Sequence, residues 1–280
     1  MRIRIESARN ERVKLAVRLR DRRARDEEGL TLIEGYRENL RALEAGVRPA
    51  AFFFCRDLFL GSNEDDLLRR AAAAGADLLD CAEPVFRRIS YRDRPDGLLS
   101  IAPIVRRTLA DLILPAAPLL LVVESVEKPG NLGTMLRSAD AAGADAVVMC
   151  DPRTDLYNPN TVRASLGTLF TVPVTVASSP EALSWLRARK VRILAGTPSA
   201  ERLHFECDMT GPVAIAVGAE QYGLSALWMG AADERVRIPM LGRCDSLNVA
   251  SAATLLLYEA VRQRWPSRQD STTSGPPSSA

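Results

Sequence analysis

The chain has 280 residues, 47% of them hydrophobic and 26% charged, enough for one large domain or two ordinary ones with cores of their own. That excludes a peptide hormone or a disordered tail. The longest apolar stretch, Leu112 to Val123, is broken by Pro115 and Pro118 and falls short of the roughly 20 apolar residues of a spanning helix, so a membrane protein is not expected.

The formal net charge of +2 hides a split. Residues 1–25 carry ten Lys or Arg against three acids, and residues 26–280 sum to −5. Clustered positive charge is what neutralising phosphates requires. The opening MRIRIESARNERVK lacks the apolar core of a secretory signal, and cysteines 55, 81, 150, 207 and 244 form no disulfide framework. A cytoplasmic, reduced chain is expected.

In chain order, Asn10 to Glu28 has helical spacing, with Val13 and Val17 apolar among charges and Leu19 or Ala24 as further candidates, which leaves its arginines on a solvated face. TLIEGYRENLRALEAG gives a short apolar run, a Gly, and a helix from Tyr36 to Ala45 stopped by Gly46. AAFFFC reads as a buried strand, Asn63 to Ala74 as a helix, ADLLD as a strand, Pro84 to Ile89 as a helical turn and GLLSIAP as a strand. The alternation predicts a small α/β domain over residues 1–108.

Composition shifts in VRRTLADLILPAAP, and the linker is placed at 109–118. Beyond it, LLLVVES, ADAVVMCD, LFTVPVTV, VRILAGT, PVAIAVGAE and RVRIP are short apolar runs separated by helical patterns. They predict a second α/β domain, residues 119–265, with a mostly parallel buried sheet and helices on both faces. The last helix is expected from Leu247 to Arg264, ending before Pro266, with residues 266–280 a disordered tail.

The single histidine narrows the chemistry. His204 in HFEC has no Pro-Cys-x-x-Cys after it, and no Cys/His cluster has zinc spacing, so His204 is read as structural and neither a hydrolytic triad nor a metal is expected. A Walker A sequence is absent. GAEQYGLS superficially resembles a Gly-rich dinucleotide loop, but Glu220 stands where a pyrophosphate needs neutral backbone. A nicotinamide dehydrogenase is therefore disfavoured, and a nucleotide-like ligand here should lack phosphates.

Three segments lie at the carboxyl ends of predicted strands, where open α/β sheets bind ligands. In VVESVEKPGNLGTMLRSADAAGA, Asn131 sits at a helix start as a cap or substrate contact. Arg137 shares a helical face with Gly133 and Thr134 and can reach back toward that start. In AIAVGAEQYGLS, Gly218 and Gly223 permit tight turns around the lone carboxylate Glu220. In VRIPMLGRCDSLNVASAATLLLYEAV, Ser246 or Asp245 can cap the last helix, and Ala250 to Ala253 make a small-residue face.

In this order, NLGTMLRSADAAGA, VGAEQYGLS and IPMLGRCDSLNVASAA resemble the three motifs of the SpoU (TrmH-like) branch of the SPOUT RNA methyltransferases, over roughly residues 118 to 264. RNERVKLAVRLRDRR and TLIEGYRENLRALEAG resemble the substrate-binding domain, similar to a ribosomal protein, that often precedes it. The resemblance implies methyl transfer from S-adenosylmethionine to a ribose 2′-hydroxyl without a metal, a deep trefoil knot, and a homodimer through the knotted domain. It places cofactor contacts on Thr197, Gly218, Ile238, Met240 and Leu247, and catalytic roles on Asn131, Arg137, Glu220, Ser246 and Asn248. Where relatives often carry Gly after Glu220, this chain has Gln221 and Tyr222 before Gly223.

The extra amino-terminal domain favours 23S ribosomal RNA as substrate over transfer RNA, with Arg9, Lys14, Arg18, Arg22 and Arg23 as RNA contacts. The competing expectation is a catalytically silent RNA-binding protein, which would have no need for Asn131, Arg137, Glu220 and Asn248.

Overall fold

Continuous apolar runs such as LLLVV and VAIAV offer solvent no polar face, and they lie in strands, Leu119–Glu124 and Val213–Val217, buried along their whole length. The structure, a computed structural model, describes residues 2–272, with side chains over 3–265. Its amino-terminal elements are β1 (Arg2–Ile5), α1 (Glu11–Arg18), α2 (Arg22–Glu28), β2 (Leu30–Glu34), α3 (Tyr36–Glu44), β3 (Ala51–Phe54), α4 (Glu64–Ala73), β4 (Asp77–Cys81), α5 (Glu83–Ile89) and β5 (Leu98–Pro103). There follow β6 (Leu119–Glu124), α6 (Pro129–Ala142), β7 (Ala146–Cys150), α7 (Pro159–Ser165), α8 (Thr168–Thr171), β8 (Val174–Ala177), α9 (Ser179–Ala188), β9 (Arg192–Gly196), β10 (Val213–Val217), α10 (Ala226–Ala231), β11 (Glu234–Val236) and α11 (Val249–Thr272).

Contacts group these elements into two units. Unit 1 holds the described residues through Arg106 together with Lys128–Arg137 and Thr154–Thr171; unit 2 holds Arg107–Glu127, Ser138–Arg153 and the described residues from Val172 on. The break between Arg106 and Arg107 lies close to the linker expected at 109–118. That stretch is folded into unit 2, with Leu112 buried and Leu109 and Leu114 packed beside it.

In unit 1 the sheet order is β1-β4-β3-β5-β2, with β1 and β3 parallel to β4, and β5 antiparallel to β3 and β2. Side chains alternate between its faces. Phe53, Leu79 and Leu99 meet Val13, Ala16, Leu19 and Phe86, while Phe52, Phe54 and Leu98 meet Leu67, Leu68 and Ala71 of α4. α7 packs on β2 and α8 on α3.

In unit 2 all six strands are parallel, in the order β11-β9-β10-β6-β7-β8. Leu120, Val122, Val148, Ile193 and Ala216 pack with Ala182 and Leu186 of α9 and Trp228 of α10. α11 lies on β6, β9 and β10, burying Ala250, Ala253, Leu256 and Leu257, none of which belongs to that cluster. The helix is tied down by Arg264, which is buried and donates to the carbonyls of Met209 (2.7 Å), Ala117 (3.0 Å) and Gly211 (2.5 Å).

Several local expectations are corrected. The helix expected over Asn10 to Glu28 is two helices, because Asp21 accepts the Arg23 amide at 2.8 Å and starts α2 as a new N-cap. Its arginines do not all face solvent: Arg25 is 2% exposed, paired with Asp155 and donating to the carbonyls of Leu19 and Arg20 at 2.8 Å each. β1 is an unexpected strand, whose alternating Arg-Ile-Arg-Ile is a half-buried strand pattern. The first residues of LFTVPVTV belong to α8 rather than to β8.

α11 starts two residues later than expected and runs through Pro266, a residue that removes one amide donor but does not by itself end a helix. The first part of the expected tail, as far as Thr272, is therefore helical, and residues 273–280 lie outside the described residues.

Candidate active site at the carboxyl edge of the parallel sheet

The neighbours β11, β9, β10 and β6 run in one direction, so the segments leaving them emerge along one edge. The register fixes this: Gly196 is opposite Val236, Ala195 opposite Ala216, and Val217 opposite Val123. Thr197 and Gly218 follow β9 and β10 directly, and Ile238 and Met240 lie on the segment leaving β11, so the cofactor positions expected from three distant stretches leave the sheet at one edge of unit 2. All four are buried or half-buried, while Leu247 is 38% exposed. The Thr197 amide donates to the Val236 carbonyl at 2.9 Å, and its hydroxyl lies 3.0 Å from that of Ser199.

The turn after β10 is closed by a reciprocal pair: the Gly223 amide donates to Ala219 O at 2.8 Å, and the Ala219 amide to Gly223 O at 3.1 Å. Gly223 has φ +66°, in the left-handed region, and a Cβ on Gly218 would run into the Gly223 backbone. Both glycines are therefore demanded by the turn, which carries half-buried Glu220 and exposed Gln221 and Tyr222 between its ends.

A buried carboxylate that sequence reasoning missed fastens this turn. Glu124, the last residue of β6, accepts the Ser225 amide at 2.7 Å, where α10 begins. Its only sequence signal is a lone acid at the end of an apolar run.

In the third motif, Asn248 rather than Ser246 or Asp245 caps the last helix: its Oδ1 accepts the Ala250 amide at 3.0 Å. Ser246 and Asn248 are both exposed. Of the small residues Ala250 and Ala253 are buried, Ala252 is half-buried and Ser251 is exposed; Gly196 on β9 leaves so little room that a Cβ would stand 2.8 Å from Leu256 Cδ1. The outward face of α11 instead carries Leu255, Tyr258 and Trp265.

Asn131 and Arg137 lie on the part of α6 that belongs to unit 1; Asn131 is half-buried in the first turn and Arg137 is exposed. Gly133 lets α7 come close: a Cβ there would meet Ala164 Cβ at 2.5 Å and Thr161 O at 2.7 Å. The last turn of α6 belongs to unit 2, where the Ser138 and Thr254 hydroxyls lie 2.7 Å apart, joining it to α11.

All five basic positions expected to contact RNA are exposed in unit 1. Four carry an ion pair: Lys14 with Glu11, Arg18 with Glu28, Arg22 with Asp26 and Arg23 with Glu27. His204 sits on a short 3-10 turn, its amide donating to Arg237 O at 2.9 Å and its ring edge-on to Phe205. Burial pushes the thiols of Cys81, Cys150 and Cys207 up to about 12, so none of these three is a ready nucleophile near neutral pH. Among the described residues, no group of three His, Cys, Asp or Glu is placed to hold a metal ion, and no helix is long and apolar enough to cross a membrane.

Residues 118–258 match the family model of the SpoU rRNA methylase family, a span containing every cofactor and catalytic position named above. The chain belongs to that family. Residues 10–100 of this SpoU methylase match an MRM3-like substrate binding domain.

A 23S rRNA (uridine(2479)-2′-O)-methyltransferase of Streptomyces viridochromogenes is 42% identical over 51% of this chain and 52% of its own length, so the match spans about half of that relative. A 23S rRNA (guanosine(2553)-2′-O)-methyltransferase of Bacillus subtilis is 30% identical over 91% of this chain and 97% of its own. Among solved structures, an AdoMet-bound rRNA methyltransferase from Sinorhizobium meliloti is 30% identical, with a TM-score of 0.84 over 93% of this chain and 98% of that one. The SpoU methylase thus shares its two-part α/β fold with rRNA methyltransferases along nearly its whole length.

Proposed function

We propose that this SpoU methylase transfers the methyl group of S-adenosylmethionine to a ribose 2′-hydroxyl of 23S ribosomal RNA. The observation that carries the reading is the gathering of Thr197, Gly218, Ile238 and Met240 on one edge of unit 2, beside a turn holding Glu220. Tight glycine turns and half-buried apolar side chains suit a nucleoside-like cofactor without phosphates. Such a cofactor supplies an electrophilic methyl group on a sulfonium.

The chain's own residues have two tasks, to orient the ribose hydroxyl and to ease loss of its proton. The Arg137 guanidinium, a planar set of donors with no acceptor atom, anchors a substrate phosphate and stabilises developing alkoxide charge. Asn131, Glu220, Ser246 and Asn248 orient groups around the hydroxyl, and Leu247 completes the cofactor wall. Residues 119–265 form the methyltransferase domain, and the threaded knot implied by the family resemblance belongs to it.

Arg9, Lys14, Arg18, Arg22 and Arg23 bind RNA phosphates, because exposed ion pairs are worth only about 0–1 kcal/mol and open readily to a polyanion. A second copy of the chain covers Leu255, Tyr258 and Trp265 on α11, giving a homodimer. Ribosomal RNA as substrate places the protein in the cytoplasm.

The test is methyl transfer from labelled S-adenosylmethionine to 23S ribosomal RNA and to transfer RNA, with ribose mapping. Label confined to one ribose of 23S RNA is expected. Label on transfer RNA alone would redirect the substrate, and no heat of cofactor binding by calorimetry would leave a silent RNA-binding protein. Arg137→Lys should lose most turnover; near-normal turnover would refute bidentate anchoring.

A further inference from the structure

The first turns of α6 rest on a block fastened to the amino-terminal sheet. Asn131 and Arg137 belong with unit 1, whereas Thr197, Gly218, Ile238 and Met240 belong with unit 2. Leu132, Met135 and Leu136 are fully buried, so this part of α6 is a packed element and no loose arm. Its seat is α7. Gly133 lies so close that a Cβ would stand 2.5 Å from Ala164 Cβ and 2.7 Å from Thr161 O, and packing of that density transmits any shift of one helix to the other.

Side chains from several parts of unit 1 hold α7 in turn. Asp155, just ahead of it, accepts the Arg25 guanidinium of α2 through both Nε and Nη2. The Thr161 hydroxyl donates to Asp155 O at 3.3 Å, so one residue of α7 touches both Asp155 and Gly133. The Tyr157 hydroxyl donates to Val105 O at 2.6 Å and accepts the Val105 amide at 3.0 Å. Beyond α7, Arg41 of α3 donates to Leu166 O at 2.6 Å.

Arg25 stands apart from the other arginines of α2. Arg22 and Arg23 are exposed, whereas Arg25 is enclosed. A buried ion pair often stabilises no more than apolar side chains of the same volume would. What it adds is direction, since a planar fork of N–H donors meets a carboxylate in a narrow range of geometries. The same fork donates to Leu19 O and Arg20 O at 2.8 Å each, which fixes Asp155 to the junction of α1 and α2.

We propose that Asp155 is a positioning residue for methyl transfer: held by Arg25, it fixes α7 on the substrate-binding domain, and α7 sets where Asn131 and Arg137 stand. The side chains that orient the ribose are thereby mounted on the part of the chain that grips RNA, not on the part that holds the cofactor. The inference rests on the proposed reaction.

The experiment compares the full chain with Arg25→Met/Asp155→Asn, which cuts the tie, leaves no buried charge stranded and keeps an oxygen for the Tyr157 amide. Tyr157→Phe, a milder change, removes only the bonds to Val105. Turnover per cofactor-binding site, with the number of sites counted by calorimetry, should fall by about 10- to 100-fold in the double variant, because a displacement of about 1 Å far from the chemistry can cost on the order of 100-fold. Tyr157→Phe should lose a smaller part. Affinity for S-adenosylmethionine and KM for 23S RNA should stay as in the wild type. Amides over residues 129–137 should exchange with deuterium about tenfold faster in the double variant, while those of β6 and α11 keep their protection.

If the wild type methylates 23S RNA and the double variant keeps its turnover, Asp155 positions nothing and the proposed function stands. If the wild type transfers no methyl group while exchange over 129–137 rises as stated, the mounting of α6 stands and the enzymatic reading falls. Weakened cofactor binding, or faster exchange in β6 and α11 as well, would mean general loosening and would overturn the assignment.

Discussion

The Glu124 carboxylate accepts the Ser225 amide at 2.7 Å across 101 residues of sequence. The bond ties the amide of the α10 N-cap residue, whose own hydroxyl makes no cap bond, to the end of β6. Glu124→Ala would leave a helix-terminal amide without its acceptor, at a cost of about 1–3 kcal/mol, and would loosen the turn that carries Glu220. Both urea midpoint and turnover should fall, whereas Glu124→Gln, which keeps an acceptor oxygen, should retain most of each. A wild-type midpoint in the alanine variant would show that the bond contributes nothing.

The same pair shows where sequence reasoning stops. Runs such as LLLVV and VAIAV announce buried parallel strands because every side chain is apolar, and glycines 218 and 223 announce a turn because little else fits. The pairings of Glu124 with Ser225, Arg25 with Asp155 and Arg264 with Met209 are invisible, since each spans some 50 residues or more of chain and no local period connects them. Asn248 was not legible as the cap, because Asp245, Ser246 and Asn248 all have capping chemistry and only the first helical residue decides among them.

Gly133 offers a test by sign. In an exposed helix, Gly→Ala ordinarily stabilises by about 0.5–1 kcal/mol. Here the added methyl meets Ala164 Cβ at 2.5 Å and Thr161 O at 2.7 Å, so Gly133→Ala should instead destabilise by about 1–3 kcal/mol, the usual cost of overpacking. Chemical denaturation reads the sign, and a gain in stability would mean that α6 and α7 part freely.

Asn248 allows capping and catalysis to be separated. Asn248→Ala removes the bond to the Ala250 amide and should cost about 0.5–2 kcal/mol. Asn248→Asp keeps a capping oxygen and adds a charge that a helix N-terminus favours, so stability should hold. If the aspartate variant is stable but transfers methyl slowly, the amide acts on substrate; if it is fully active, Asn248 is only a cap.

Arg25 and Asp155 form an ion pair with the arginine fully enclosed. Removing one partner strands a buried charge, and Asp155→Ala should cost about 3–5 kcal/mol. The double change Arg25→Met/Asp155→Ala removes the stranded charge and should recover part of that loss. Thermal or urea unfolding of the three proteins checks this, and a double variant no better than Asp155→Ala would place the cost elsewhere, for instance in the bond from the Tyr157 amide to Asp155.

Glu34 gives the stability of the chain a pH dependence of unusual sign. Burial pushes its carboxyl above the usual value near 4.5, outweighing the bonds it accepts from the Ser90 hydroxyl and from the Tyr91 amide at 2.7 Å. Burial raises Glu38 likewise, against the pull of Arg92. Between the usual value and the raised one, the folded chain holds protons that the unfolded chain has released, so these two groups lower stability as pH climbs through that window. Glu259 and Asp208 in unit 2 are held below their usual values by hydrogen bonds from Arg262 and from Thr210, so they cost stability only as pH falls through the acid range. Glu34→Gln cannot ionise, and the decline in urea midpoint as pH climbs above the usual carboxylate value of 4.5 should be smaller than in the wild type, the remainder belonging to Glu38. An identical decline in both proteins would mean that the buried Glu34 carboxyl does not change its proton over that range.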